Sequence, residues 1–62
     1  MNVWKGKEGR YKYTIKERED GYFDLTVDAP YDNLEEWFPS YRTAREFLKR
    51  EYYFTGRMKQ IS

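Results

Sequence analysis

The stretch YKYTIKEREDGYFDLTV, Tyr11 to Val27, decides the fold. Strand side chains alternate between the two faces of a sheet. Odd positions carry Tyr11, Tyr13 and Ile15, then Phe23, Leu25 and Val27; even positions carry Lys12, Thr14 and Lys16, then Asp24, Thr26 and Asp28. One apolar and one polar face mark an antiparallel pair with one side in water. The loop sets the register. A two-residue turn at Asp20-Gly21 opposes apolar to polar side chains. A three-residue loop, Glu19-Asp20-Gly21, with Gly21 in the left-handed conformation, pairs Arg18 with Tyr22. Ile15 then meets Leu25, Tyr13 meets Val27, Thr14 meets Thr26, Lys16 meets Asp24 and Lys12 meets Asp28. A slip of one residue inverts every side chain, so the three-residue loop is expected.

Outward from the hairpin, Pro30 ends the second strand. Tyr31 to Phe38 reads in two ways. Leu34, Trp37 and Phe38 at i, i+3 and i+4, with Asp32 and Glu35 spaced as in a capping box, describe one helical turn stopped by Pro39. Alternatively Leu34–Phe38 is a third strand, the preferred reading because a lone hairpin is marginal. Ser40 then caps a helix over about 41–53, YRTAREFLKREYY. Tyr41, Ala44, Leu48 and Tyr52 share one face with Phe47 beside them, and Arg42, Arg45, Glu46, Lys49 and Arg50 share the other. Glu46 to Arg50 is the favourable i,i+4 order, and Gly56 suits the residue following the helix. The tail RMKQIS, 57–62, reads as a final edge strand. Val3 and Trp4, followed by Gly6 and Gly9, read either as a terminus anchored by Trp4 or as a short strand leading into the hairpin. The GxxG spacing of those glycines lacks the flanking helices of a KH loop.

Sixty-two residues make a single domain near the lower size limit for independent folding. The chain has no cysteine and no histidine, which excludes disulfides, thiolate metal sites and the commonest general base. The opening MNVWKGKEG lacks the apolar run of a signal peptide, and no stretch approaches the roughly 20 apolar residues of a membrane span. The expectation is a cytoplasmic chain with no membrane contact. Charge is unevenly distributed. Residues 1–18 hold six Lys/Arg and two Glu, 19–36 hold seven Asp/Glu and no base, and 37–62 again hold six Lys/Arg and two Glu. Pairing between neighbouring strands is the preferred reading of this pattern; the alternative is a bipolar surface that steers a charged partner. Seven Tyr, four Phe and two Trp exceed what so small a core encloses, and exposed Tyr and Trp are typical of interfaces.

No catalytic residue is assigned. Ser40 and Ser62 have no histidine to activate them, and Glu35-Glu36 near Asp32 needs an enclosed cleft for acid–base work. Asp28, Asp32 and Glu35 do not follow a calcium-loop spacing, so no metal ligand and no cofactor is assigned. The run YKYTIKEREDGYFDLTVDAP resembles the opening of HicB-type antitoxin domains, in which a hairpin with an acidic-Gly turn precedes a proline and a helix; the family's DNA-binding segment has no counterpart here. The order of hairpin, helix and last strand is similar in outline to small phage proteins that inhibit host enzymes, which implies a viral inhibitor.

The expected fold is a two-layer α+β domain: an antiparallel sheet of three to four strands, hairpin 10–28 central, covered by one helix. The leading functional expectation is a non-enzymatic protein-interaction module, an adaptor or inhibitor. Its partner-binding residues would be Tyr31, Asp32, Glu35, Glu36 and Trp37, with Asp28 on the acidic rim. The alternative is nucleic-acid binding through Arg42, Arg45, Lys49, Arg50 and Tyr53 on the helix, with Arg10, Lys12, Lys16 and Arg18 as a second basic set on the hairpin. A third is a structural homodimer through an open sheet edge.

Overall fold

The computed structural model describes all 62 residues. Five strands, β1 (Val3–Glu8), β2 (Tyr11–Glu17), β3 (Phe23–Ala29), β4 (Asp32–Phe38) and β5 (Lys59–Gln60), form one antiparallel sheet in the order β4-β3-β2-β1-β5. One helix, α1 (Tyr41–Tyr52), lies between β4 and β5 in the chain and packs on β2, β3 and β4. The result is a two-layer α+β fold with the hairpin at its centre and one strand more than expected, because Val3–Glu8 is a full strand.

The central register is the one the alternation demands. Tyr13 lies opposite Val27, Ile15 opposite Leu25, Lys12 opposite Asp28 and Lys16 opposite Asp24. Arg18 N–H donates to the Tyr22 carbonyl at 2.7 Å, and Gly21 sits at φ 92°. The Asp20 carboxylate accepts from Tyr22 N–H at 3.0 Å, stiffening the loop. Tyr13, Ile15, Leu25, Val27, Ala44, Leu48 and Phe54 form the buried core, a thin layer ringed by half-buried aromatic side chains.

Two local expectations are corrected. The helix starts as expected, with Ser40 Oγ accepting from Thr43 N–H at 3.1 Å, but Gly56 does not end it. Tyr53 takes the left-handed position at φ 56°, and Phe54 N–H donates to the Leu48 carbonyl at 3.2 Å. The early turn delivers Phe54 into the core. Its ring centroid lies 4.5 Å from that of Tyr13. Glycines flank it: a Cβ on Gly6 would stand 2.9 Å from Phe54 Cζ, and one on Gly56 3.1 Å from Cε1. The expected Glu46–Arg50 pair is also replaced. Glu46 pairs with Arg42 at 3.7 Å, and Arg50 pairs with Glu51 at 3.1 Å.

Candidate functional site

β4 is a free edge strand, and it carries the whole expected partner-binding set. Asp32, Glu35, Glu36 and Trp37 lie on it, and Tyr31 stands at the tip of the two-residue turn that leads into it, 98% exposed. They do not form one compact patch. Tyr31 and Trp37 are six residues apart along an extended strand, about 20 Å. The pleat divides the carboxylates as well. Register places Glu35 and Trp37 on the outer face with Asp24 and Thr26, whereas Asp32 and Glu36 align with Ala29 and Leu25 on the helix side. Asp28 shares the outer face with Glu35, so Asp28, Asp32 and Glu35 do not converge. Trp37 is 56% exposed and stands edge-on to Tyr22, ring centroids 5.0 Å apart.

The backbone of β4 has a defined polarity. Arg18 and Tyr22 form a hydrogen-bonded pair, so the even residues of β3 face β2 and its odd residues face β4. The β4 residues opposite those odd positions, Asp32, Leu34, Glu36 and Phe38, bond inward. Asn33, Glu35 and Trp37 therefore turn their N–H and C=O groups to the open side. Two β4 edges pairing with each other would bring their Glu35 and Glu36 carboxylates together, which opposes a homodimer through this edge.

The basic helix set is engaged within the chain to different degrees. Arg45 is half-buried; it donates to the Tyr41 hydroxyl at 3.0 Å and to the Gly56 carbonyl, with its guanidinium over the Tyr41 and Phe54 rings. It is a tether between the helix and the segment entering β5, not a free cation. Arg42 and Arg50 are exposed and make only surface pairs with Glu46 and Glu51. Lys49 is unpaired, and Tyr53 is 83% exposed just beyond the helix end.

The outer face of the sheet has no layer over it, and its charges are sorted by strand. Register places Lys5 and Lys7 of β1, Lys12 and Lys16 of β2, and Lys59 of β5 on this face, with Asp24 and Asp28 of β3 and Glu35 of β4 on its other half. Across β2 and β3 the opposite charges face each other as expected, but without a closed ion pair. Lys12 and Lys16 lie opposite Asp28 and Asp24, but no ion pair joins them; Arg18 holds Asp24 at 3.5 Å and Asp20 at 2.8 Å. All four ion pairs of the molecule use arginine, so every lysine is free. A groove of about 660 Å³ runs over the basic half, lined by Lys5, Lys7, Lys12, Arg57 and Lys59, with Asp28 at its border. Sequence reasoning named Lys12 and Lys16 but missed Lys5, Lys7 and Lys59; their alternation with Trp4, Gly6 and Met58 is the signal that was available.

Two tyrosines on the helix side have raised pKa values. The Tyr13 hydroxyl is held above its ordinary 10.0 by burial, then by Glu8, Tyr11 and Tyr52. Tyr52 is raised by burial, then by Asp32, Tyr11 and Glu51. Both belong to the core's aromatic border, where Tyr11, Tyr13 and Tyr52 stand within 5.9–6.3 Å of one another. No protein-family model, curated protein or solved structure matches the chain, so geometry and charge carry the functional reading.

Proposed function

We propose that the chain is a non-enzymatic protein-interaction module, an adaptor or inhibitor that captures an extended segment of a partner protein along the free edge of β4. The observation that supports this is a seven-residue edge strand with outward backbone groups at Asn33, Glu35 and Trp37. Strand addition draws affinity from main-chain hydrogen bonds and specificity from alternate side chains. The strand that fits this edge runs apolar, basic, basic, apolar: cations opposite Glu35 and Glu36, apolar groups opposite Leu34 and Trp37. The opposite edge, β5, has only two paired residues and gives a partner strand little to bind.

The test uses a seven-residue peptide of lysine and valine with a central Val-Lys-Lys-Val order, followed by backbone amide NMR. Amide shifts and slowed exchange at Asn33, Glu35 and Trp37 are expected. Glu35→Pro removes an outward N–H at a position where an edge strand tolerates proline, and it should abolish those changes while the sheet stays folded. A glutamate–valine peptide should not bind. Peptide binding that survives Glu35→Pro, or shifts confined to β1 and β5, would refute strand addition.

A further inference from the structure

We infer that the basic half of the outer sheet face is a second binding surface, for the phosphate backbone of duplex DNA. It lies on the far side of the sheet from the β4 edge and does not depend on the function proposed there. Five of the six lysines of the chain meet on it: Lys5, Lys7, Lys12, Lys16 and Lys59. Two of the cross-strand pairs are like-charged, with Lys7 directly opposite Lys12 and Lys5 directly opposite Lys59. Such pairs destabilise a sheet. Asp28 and Asp24 lie opposite Lys12 and Lys16 without a closed ion pair, and register places no carboxylate opposite Lys5, Lys7 or Lys59. A local cost of this kind, kept without compensation inside the fold, marks a site that an external anion completes.

The chemistry selects the anion. Lysine is a flexible, strongly hydrated point charge, suited to phosphate and poor at bidentate reading of bases. The basic half exposes no aromatic ring: Tyr13 is buried beneath it, and Trp37 and Tyr22 lie toward the acidic half. Stacking of unpaired bases has no platform there, which favours a duplex over a single strand. A 2′-hydroxyl accepts from an ammonium much as a phosphate oxygen does, so the face binds without requiring RNA. A protein interface would have to desolvate five lysines, whereas a nucleic-acid interface stays wet. Asp24, Asp28 and Glu35 keep the duplex to the β5-β1-β2 side. Glu35 sits two strands from β2, about 10 Å, beyond the roughly 8 Å screening length at physiological salt. Binding is therefore independent of sequence and steeply dependent on salt.

The test is fluorescence anisotropy with a labelled duplex of roughly 20 base pairs and mixed sequence, titrated between about 50 mM and 200 mM salt. Five phosphate contacts give a log–log slope of about −4.5, a fall of roughly 500-fold over that range. Lys5→Gln with Lys7→Gln should lower the slope to about −2.7. The same double variant relieves both like-charge pairs, so its melting midpoint should rise as its affinity falls, which simple structural damage would not produce. Lys49→Gln on the helix should change neither. The inference is overturned by absence of binding at the lowest salt, by a slope that the double variant leaves unchanged, or by a double variant that melts below the parent. Equal binding of poly-glutamate would identify an acidic protein instead, and tighter binding of duplex RNA would identify RNA; either result also overturns it.

Discussion

Gly6→Ala puts one methyl group where the sheet has no room for it. The new Cβ would stand 2.9 Å from Phe54 Cζ and 3.0 Å from Met58 Cγ. Met58 is a flexible side chain and yields easily. Phe54 does not, because it is 2% exposed, touches Tyr13, and lies against Gly56 on its other side. Overpacking of this kind costs about 1–3 kcal/mol. Replacing a strand glycine returns about 0.5–1 kcal/mol of chain entropy, which leaves a net loss of about 1–2 kcal/mol. In a domain of this size the melting midpoint falls by roughly 4–8 °C per kcal/mol, so the expected drop is about 5–15 °C. Thermal and urea melts followed by circular dichroism measure it. The mechanism needs a partner test, because strand substitutions commonly destabilise for other reasons. Phe54→Leu withdraws the far end of the ring and vacates the space that the methyl group needs. In that background Gly6→Ala should be close to neutral, a coupling of about 1–2 kcal/mol between the two sites. Equal losses in both backgrounds, or a raised midpoint for Gly6→Ala alone, would refute the claim that Gly6 is there to admit Phe54.

Two of the three left-handed residues, Gly21 and Tyr53, should respond in opposite directions. Gly21→Val forces a branched side chain to φ 92° and should lower stability by about 1–3 kcal/mol, whereas Tyr53→Gly relieves a left-handed residue that is 83% exposed and should raise it by about 0.5–1 kcal/mol; both are read from urea midpoints. Stability should also decline as pH rises above about 10. Tyr13 and Tyr52 keep their protons in the fold after the unfolded chain has ionised, so above that pH the native state binds more protons and unfolding becomes easier. Tyr52→Phe should flatten the decline in alkaline melts, and an unchanged slope would count against burial as its cause.

The hairpin was legible because its alternation is uninterrupted and only Gly21 suits the left-handed loop position. β1 was less legible because its inward set, Trp4, Gly6 and Glu8, contains one large apolar residue. The missing inward volume at Gly6 is supplied by Phe54, 48 positions later, and local pattern cannot register a neighbour that distant. β4 was ambiguous for a related reason. It lies at the edge, so Glu36 can sit on the helix side without entering the core and Trp37 can face water, which breaks the expected alternation. The helix end was misplaced because glycine is the usual left-handed residue, while the burial of Phe54 requires the chain to turn at Tyr53. The three charge blocks were visible in the sequence, but their pairing was not. Which cation reaches a carboxylate depends on rotamer and loop geometry, and here all four ion pairs that form use arginine. Of the expected binding residues, the β4 set shares one edge, whereas Arg45 proved to be a packing element.

The pairing of β5 with β1 has a consequence in time. Ile61 N–H donates to the Val3 carbonyl at 2.8 Å, and Val3 N–H donates to the Ser62 carbonyl at 3.0 Å. During synthesis β1 therefore waits for residues 59–62, more than fifty positions later, before its outer side is covered. Closing a loop of that length is slow compared with forming the hairpins. Through that interval the nascent sheet has two open edges, and chains emerging from neighbouring ribosomes could join through them. Lys5 and Lys7 stand on the edge that waits longest, and their mutual repulsion between chains protects it until β5 arrives. The same lysines that would draw a polyanion to the finished fold thus keep the unfinished one from aggregating.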